Sequence, residues 1–458
     1  MNIETFGMKN VKDFGALGDG VHNDTQAIQA ALDAGGIVRF PAGTYITGTL
    51  ELNSNGGIYL DLGATIRASR DKRDYNADDF CPQNAVFVSE HVSGAHLIVA
   101  IEKENIFIGG MGTIDGDAPY WVNTPSDEKD SPTLLPDPER PGQMFFICEC
   151  KNVSITDLHL KNGSYWHLFC HGCEDVMIRG LNINGQQYQY TNDGIDIDCC
   201  RRVTVSDCII NVGDDALTLR GYDKPLKDKK YCEDVVITNC SISSYGDYGL
   251  RIGVGSGLIR NCTISNLVIH DSNIGIGMMC RFSPKGSCTK IENIRISNVT
   301  IDAERALELR VSNDERHPPL PVSAYIRNIL ISGVIARSNV SSYLLGFDGA
   351  EFENVRISDS LFTFDGNGYH GDYPERGRWG RFSADSAFVL KKVRNVTFDG
   401  VGISYTDTDP EPVWLSDGDE QSVALKETES GWRFDVTAID SENVKYRGCD
   451  FTKGTRNV

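Results

Sequence analysis

No run of apolar residues in the 458-residue chain is long enough to cross a bilayer, so no membrane-spanning helix is expected. Positive charge is scarce. Lys and Arg number 44 against 64 Asp and Glu, a net charge of −20. That balance argues against a nucleic-acid partner, whose phosphates need a basic patch. It leaves room for an acidic sugar, which needs only a few local cations. Residues Met1 to Asn10 lack a basic segment followed by an apolar one, so no signal peptide is expected.

Other features are plentiful. The chain is 40% hydrophobic and 24% charged, the balance of a soluble globular protein. Its 46 glycines suit a turn-rich β protein. The 14 cysteines would suit a disulfide-rich secreted protein, but the repeats assign several of them to a core. The length suggests two or three ordinary domains, unless the fold grows in one dimension.

A phrase of the form Asn/Asp-Val-x-Ile recurs. It begins at Asn152, Asp175, Asp234, Asn293, Asn328, Asn354, Asn395 and Asn443, with weaker copies at Arg202 and Gly257. Period-2 alternation means strands, and irregular spacing means a solenoid with loop insertions. The prediction is all-β: a single right-handed parallel β-helix with a short N-terminal capping helix. Within one 1–458 domain, residues 1–70 form the cap and first coils. Residues 100–335 form the central coils with the catalytic face, and 336–458 the C-terminal coils and long loops. Asn23-Asp24-Thr25-Gln26 predicts a capping box, Ala27 to Ala34 the capping helix, and Gly35-Gly36 its end.

Aligning the phrases gives one inward column: Leu158, Leu181, Cys208, Cys240, Leu267, Val299, Val334. Cys stands in it for Leu and Val, so Cys208 and Cys240 are expected as free buried thiols. Cys170-His171-Gly172-Cys173 lacks a second pair at zinc-site spacing and is expected to be core and turn. Buried thiols without a signal peptide point to a reducing, cytoplasmic setting, or to a secreted one if a leader has been removed.

A second set of strands stacks Leu168, Ile195, Leu217, Leu250, Ile276 and Leu307 inward. That register puts Trp166, Asp193, Asp215, Tyr248, Ile274 and Arg305 in one neighbouring column, and Phe169, Asp196, Thr218, Arg251, Gly277 and Glu308 in an outward one. Coils lie about 4.8 Å apart, so Asp193, Asp214, Asp215 and Asp247 are expected to crowd one patch beside Tyr248 and Arg251. Stacked carboxylates repel and raise one another's pKa. Either Ca²⁺ neutralises them or one holds a proton while another stays ionised, as glycoside hydrolysis requires. Solvated turn aspartates are the structural alternative.

The sequence here resembles the polygalacturonase family of glycoside hydrolases, family 28. The similarity includes Val11 to Ala16, Gly18-Asp19-Gly20, Phe40 to Tyr45, Gly112 to Gly116 and Arg140-Pro141. Its specific core is Thr191-Asn192-Asp193-Gly194-Ile195-Asp196, against the family's Asn-Thr-Asp-Gly-Ile-Asp, and Gly213-Asp214-Asp215. The resemblance implies an inverting hydrolase that needs no cofactor or metal. Asp214 would be the general acid, with Asp193 and Asp215 activating the water. Tyr248, Arg251, Asp247, Asp196, Trp166, Arg281 and Arg305 are the candidate substrate-binding residues, and a pectic or other plant-type carbohydrate is the expected partner. The family's Gly-His-Gly is here Asp247-Tyr248-Gly249, and its Arg-Ile-Lys is Gly277-Met278-Met279. Arg251, Arg281, Arg305 or Arg310 would have to supply the missing cation, or the sugar is another one.

Segments around 118–139, 223–230, 367–385 and 407–430 are long for coil connections. The third, with Tyr369, Tyr373, Trp379 and Phe382, could stack on sugars. Long loops that close a groove favour exo action. A lyase or epimerase on the same fold, with Ca²⁺ or with Tyr248 or Arg251 as base, and a non-catalytic glycan binder are the rival readings.

Overall fold

The computed structural model describes residues 7–84, 92–122, 124–125, 134–135, 137, 139–280, 287–311, 323–347, 349–365, 385–406 and 431–458. It divides into two compact units, Met1–Asp214 with Pro225–Lys230, and Asp215–Lys224 with Tyr231–Val458. Both are right-handed parallel β-helices, the all-β class the repeats predict.

In the first unit the recurring phrase stacks Ile106, Val153, Val176 and Val203 in register, with Ile108, Ile155, Ile178 and Val205 two residues on. All eight are buried, which explains why period 2 survives in every copy. In the second unit Ile264, Ile296, Ile331, Ile357, Phe398 and Tyr446 continue as one column. The weak copy expected at Gly257 lies instead at Asn261-Cys262-Thr263-Ile264, where Cys262 pairs with Ile294. Cys262 holds the Val position, buried, and so hid the phrase from a search for Val.

The phrase opens with Asn or Asp for a backbone reason. Asn105, Asn152, Asp175, Asp234, Asn261, Asn293, Asn328, Asn354, Asn395 and Asn443 all have φ between 52° and 58°. That left-handed conformation costs most residues about 1–2 kcal/mol, and Asn and Asp tolerate it best after Gly. The side chains then bond from coil to coil. Asn443 donates to Asn395 (2.6 Å), Asn395 to Asn354 (3.2 Å), Asn354 to Asn328 (3.2 Å), Asn328 to Asn293 (3.1 Å) and Asn293 to Asn261 (3.2 Å). Arg202 breaks the pattern and is tied to Asp175 by paired bonds of 2.6 and 2.8 Å.

The inward column is as expected. Cys240, Leu267, Val299 and Val334 pair in sequence, and Leu158, Leu181 and Cys208 are buried. All 14 cysteines are free. Cys170 and Cys173 are fully buried, separated by the turn at Gly172.

The capping helix forms over Thr25–Asp33 and buries Ile28, Ala31 and Leu32. The capping box does not form. The Asp24 carboxylate instead accepts from the backbone N–H groups of Leu17 (2.7 Å) and Gly18 (3.0 Å), tying down the preceding turn. Coils continue past residue 336 through Ser386–Lys391, Arg394–Tyr405 and Phe434–Ile439. Half of segment 118–139, all of 367–385 but its last residue, and all of 407–430 lie outside the described residues, as do Tyr369, Tyr373, Trp379 and Phe382.

Candidate active site

In the first unit the strand Ile195–Asp198 lies in register with Leu168–His171, so Asp196 stands beside Phe169 and Asp198 beside His171. The turn before it is held from several directions. Asn192 is buried; its Oδ1 accepts from the N–H of Gly213 (2.7 Å) and of Asp214 (3.2 Å), and its Nδ2 donates to Gln186 O (2.8 Å). Asn192 therefore ties the Asp193 turn to the Gly213-Asp214 turn. Arg140, fully buried, donates from Nη1 to Thr191 Oγ1 (3.0 Å) and to Ser164 O, and stacks on the Tyr165 ring. That is the physical content of the Arg140-Pro141 motif.

His167 fixes the main chain of Asp193 itself. Gly163 N–H donates to Nε2 (3.0 Å), so Nδ1 carries the hydrogen and donates to Asp193 O (3.0 Å). Complete burial lowers its pKa to about 4, so the ring is neutral. In the sequence, His167 aligns with Gly194, Ala216, Gly249, Gly275 and Ala306, each the residue before an inward Leu or Ile. A histidine among small residues was the signal that sequence reasoning passed over.

Trp166 lies against Tyr165 (ring centroids 4.9 Å) and Phe169 (5.4 Å), within an apolar cluster with Val99, Phe146 and Leu226. Asp193 and Asp196 are buried, and Asp214 is half-buried. The column of Phe169 and Asp196 points away from the inward one, as the alternation predicts, but it is covered rather than open to solvent.

In the second unit Leu217, Leu250, Ile276 and Leu307 stack as expected, and Thr218, Arg251, Gly277 and Glu308 follow in the neighbouring column. Asp215 is buried. Its Oδ2 lies 2.5 Å from Arg251 Nη1, and its Oδ1 accepts from Tyr248 N–H (3.3 Å). Asp247 is half-buried and brings a carboxylate oxygen within 4.8 Å of one on Asp215. A divalent cation could bridge two carboxylates at that spacing, but Arg251 already supplies a counter-charge. Burial works against the charge on Arg251, yet the carboxylates of Asp215 and Asp247 outweigh it and hold its pKa above the ordinary value.

Tyr248 is buried against Ile274 and Met279, and burial pushes its hydroxyl well above the ordinary pKa. Arg305 is fully buried. Its guanidinium lies 4.1 Å from the Tyr343 ring centroid, donates to Ser341 O, and has Nε 3.5 Å from Glu308 Oε2. Arg310 Nη1 is 3.6 Å from Glu308 Oε1. Arg281 lies outside the described residues.

The family model "Glycosyl hydrolases family 28" matches residues 41–314, and "Rhamnogalacturonase A/epimerase, pectate lyase-like" matches residues 8–64. The chain is similar to a polygalacturonase of Persea americana, 26% identical over 331 residues, covering 63% of this chain and 66% of that protein. It is also similar to an exopolygalacturonase of Zea mays, 21% identical over 336 residues, covering 64% of this chain and 76% of that one. Its fold is like that of the solved exopolygalacturonase of Thermotoga maritima, with TM-score 0.66 and 21% identity over 78% of this chain and 86% of that one. The aligned part thus spans just under two thirds of the avocado protein. Matched over more than half of its length, the chain belongs to family 28 of the glycosyl hydrolases.

Proposed function

We propose that this protein hydrolyses O-glycosidic bonds of pectic or related oligosaccharides, in the manner of a polygalacturonase. Asp214 serves as the general acid that protonates the leaving oxygen. Asp193 and Asp215 hold and deprotonate the attacking water, with inversion at the anomeric carbon. Asp196 and Asp247 flank the reacting sugar.

The observation that carries this reading is the clasp made by Asn192, which binds the backbone of Gly213 and Asp214 from the residue next to Asp193. General acid–base catalysis needs its groups within hydrogen-bond reach of one bond, held there before substrate arrives. A solvated turn aspartate needs no such clasp. Exo action is part of the proposal. The name of one similar protein, an exopolygalacturonase, supports it.

A lyase or epimerase would need Ca²⁺ or a base such as Tyr248 or Arg251. Tyr248 is buried with its hydroxyl pKa raised, and Arg251 is paired with Asp215, so neither suits the part of base, and the Ca²⁺ route is the one a chelator tests.

The test is product release from a panel of pectic oligosaccharides, wild type beside Asp214→Asn, read for reducing ends and for ultraviolet absorbance. New reducing ends without absorbance, abolished by the substitution, support the hydrolase. Absorbance marks a lyase. Silence on the whole panel sinks the pectic reading.

A further inference from the structure

In the column Thr218, Arg251, Gly277, Glu308, the glycine leaves a notch between two charged residues. The ring of Tyr248 lies across it. A Cβ at position 277 would stand 2.3 Å from Cδ1 and Cε1 of that ring, closer than real atoms come. The same ring is packed against Ile274 and Met279, and the Arg251 guanidinium lies 5.1 Å from its centroid. Tyrosine at 248 and glycine at 277 are therefore one steric unit, because the ring needs the space a side chain at 277 would take.

The consequence falls on Asp215. One of its oxygens meets Arg251 Nη1 at 2.5 Å and the other accepts from the Tyr248 N–H at 3.3 Å. Both contacts come from the strand Tyr248–Gly255. The side chains of Arg251 and Asp215 are only 9% and 1% exposed, so water offers little competition for the pair. A guanidinium is a planar fork that stacks on an aromatic face while it bonds a carboxylate, and it is more rigid in that double contact than in either alone.

We propose that Arg251 is a positioning residue that aims the Asp215 carboxylate, and that Tyr248 seated over Gly277 is the spacer that holds Arg251 in place. Neither grips the sugar. The inference rests on the reading of Asp215 as one of the water-activating groups, and it reassigns Arg251 from substrate binding to support of the base.

The experiment is steady-state kinetics of Arg251 variants on whichever pectic oligosaccharide the wild type cleaves. Arg251→Gln lowers kcat about 10²-fold, the size expected for a misplaced catalytic group, with KM nearly unchanged. Arg251→Lys regains part of the loss. Arg251→Gly regains turnover when guanidinium is added, a response that a purely structural arginine does not give. Gly277→Ala pushes on the ring and lowers kcat in the same way. A raised KM at constant kcat would mark Arg251 as a substrate-binding residue and overturn the proposal, as would the absence of any guanidinium rescue.

If the wild type cleaves nothing, the hydrolase reading fails, and the ion pair is judged by thermal melting alone. Arg251→Gln and Asp215→Asn each remove one side of a buried ion pair and melt lower, whereas the double variant loses less than the two single losses summed. Additive losses would overturn the pairing independently of any activity.

Discussion

One polar ladder in the second unit runs through Asn261, Asn293, Asn328, Asn354, Asn395 and Asn443, one residue per coil. Another polar stack begins at Asp215 and Asp247, on successive coils of the other strand set. An amide both donates and accepts, so each asparagine satisfies the next, at 2.6 to 3.2 Å, with no outside help. A carboxylate only accepts. Asp215 therefore draws its donors from elsewhere, a guanidinium and a backbone N–H. The amide ladder serves stability and sits exposed on the surface. The carboxylate stack is costly to maintain, and the proposed reaction is what would put its protons and charges to use.

The contrast can be tested from the acid side first. Asp214→Asn should lower turnover on the order of 10²–10⁴-fold while the melting temperature stays near wild type. A comparable fall in melting temperature would return Asp214 to a structural role.

The first unit adds a pH test. His96 and His167 are both completely buried, and burial lowers both pKa values to about 4. An unfolded histidine titrates near 6.5, so between 6.5 and 4 the unfolded chain binds more protons. Stability is full above 6.5 and declines as pH falls toward 4, by at most about 3 kcal/mol per histidine. Denaturant melts across that window, with His96→Gln as comparison, should show a shallower decline in the variant. Equal slopes would mean that His96 is not the source.

Smaller effects come from the amide ladder. Asn328→Ala loses two ladder bonds and the residue best suited to φ 58°, so it should cost about 1–2 kcal/mol with kcat unchanged. Asn328→Gly keeps the backbone conformation and should cost less. Converting both Asn293 and Asn328 to Asp should destabilise near neutral pH and recover on acidification, the reverse of the histidine effect, because paired carboxylates repel only when ionised. Smallest of all is the response to a chelator, where turnover is expected to hold. A loss restored by Ca²⁺ would show that a cation shares the neutralisation of the carboxylates with Arg251.

Much of this protein could be read from spacing. The strand phrase, the inward leucine and isoleucine columns and the outward neighbours of Arg251 all fall where alternation puts them, because a strand has a side-chain period of two and parallel coils keep register. The free state of Cys208 and Cys240 was legible for the same reason. Cys262 was missed because a cysteine in a valine position leaves the phrase unrecognisable to a pattern of letters. The capping box failed because Asp24 had better partners in Leu17 and Gly18 N–H, which no local pattern reveals.

The sequence by itself determined the coil: its strands, its buried columns, its left-handed asparagines and the aspartates grouped near Asp193 and Asp214. These follow from local geometry repeated along the chain. Only the tertiary structure decided how the side chains are spent. It set His167 to hold the Asp193 carbonyl, Asn192 to clasp two turns, Trp166 to pack among rings, and Arg251 to face Asp215 over a tyrosine that fills the place of a missing side chain at 277. The contacts of His167, Asn192 and Arg251 join residues 21 to 36 positions apart in the chain, and a periodic pattern carries no record of them.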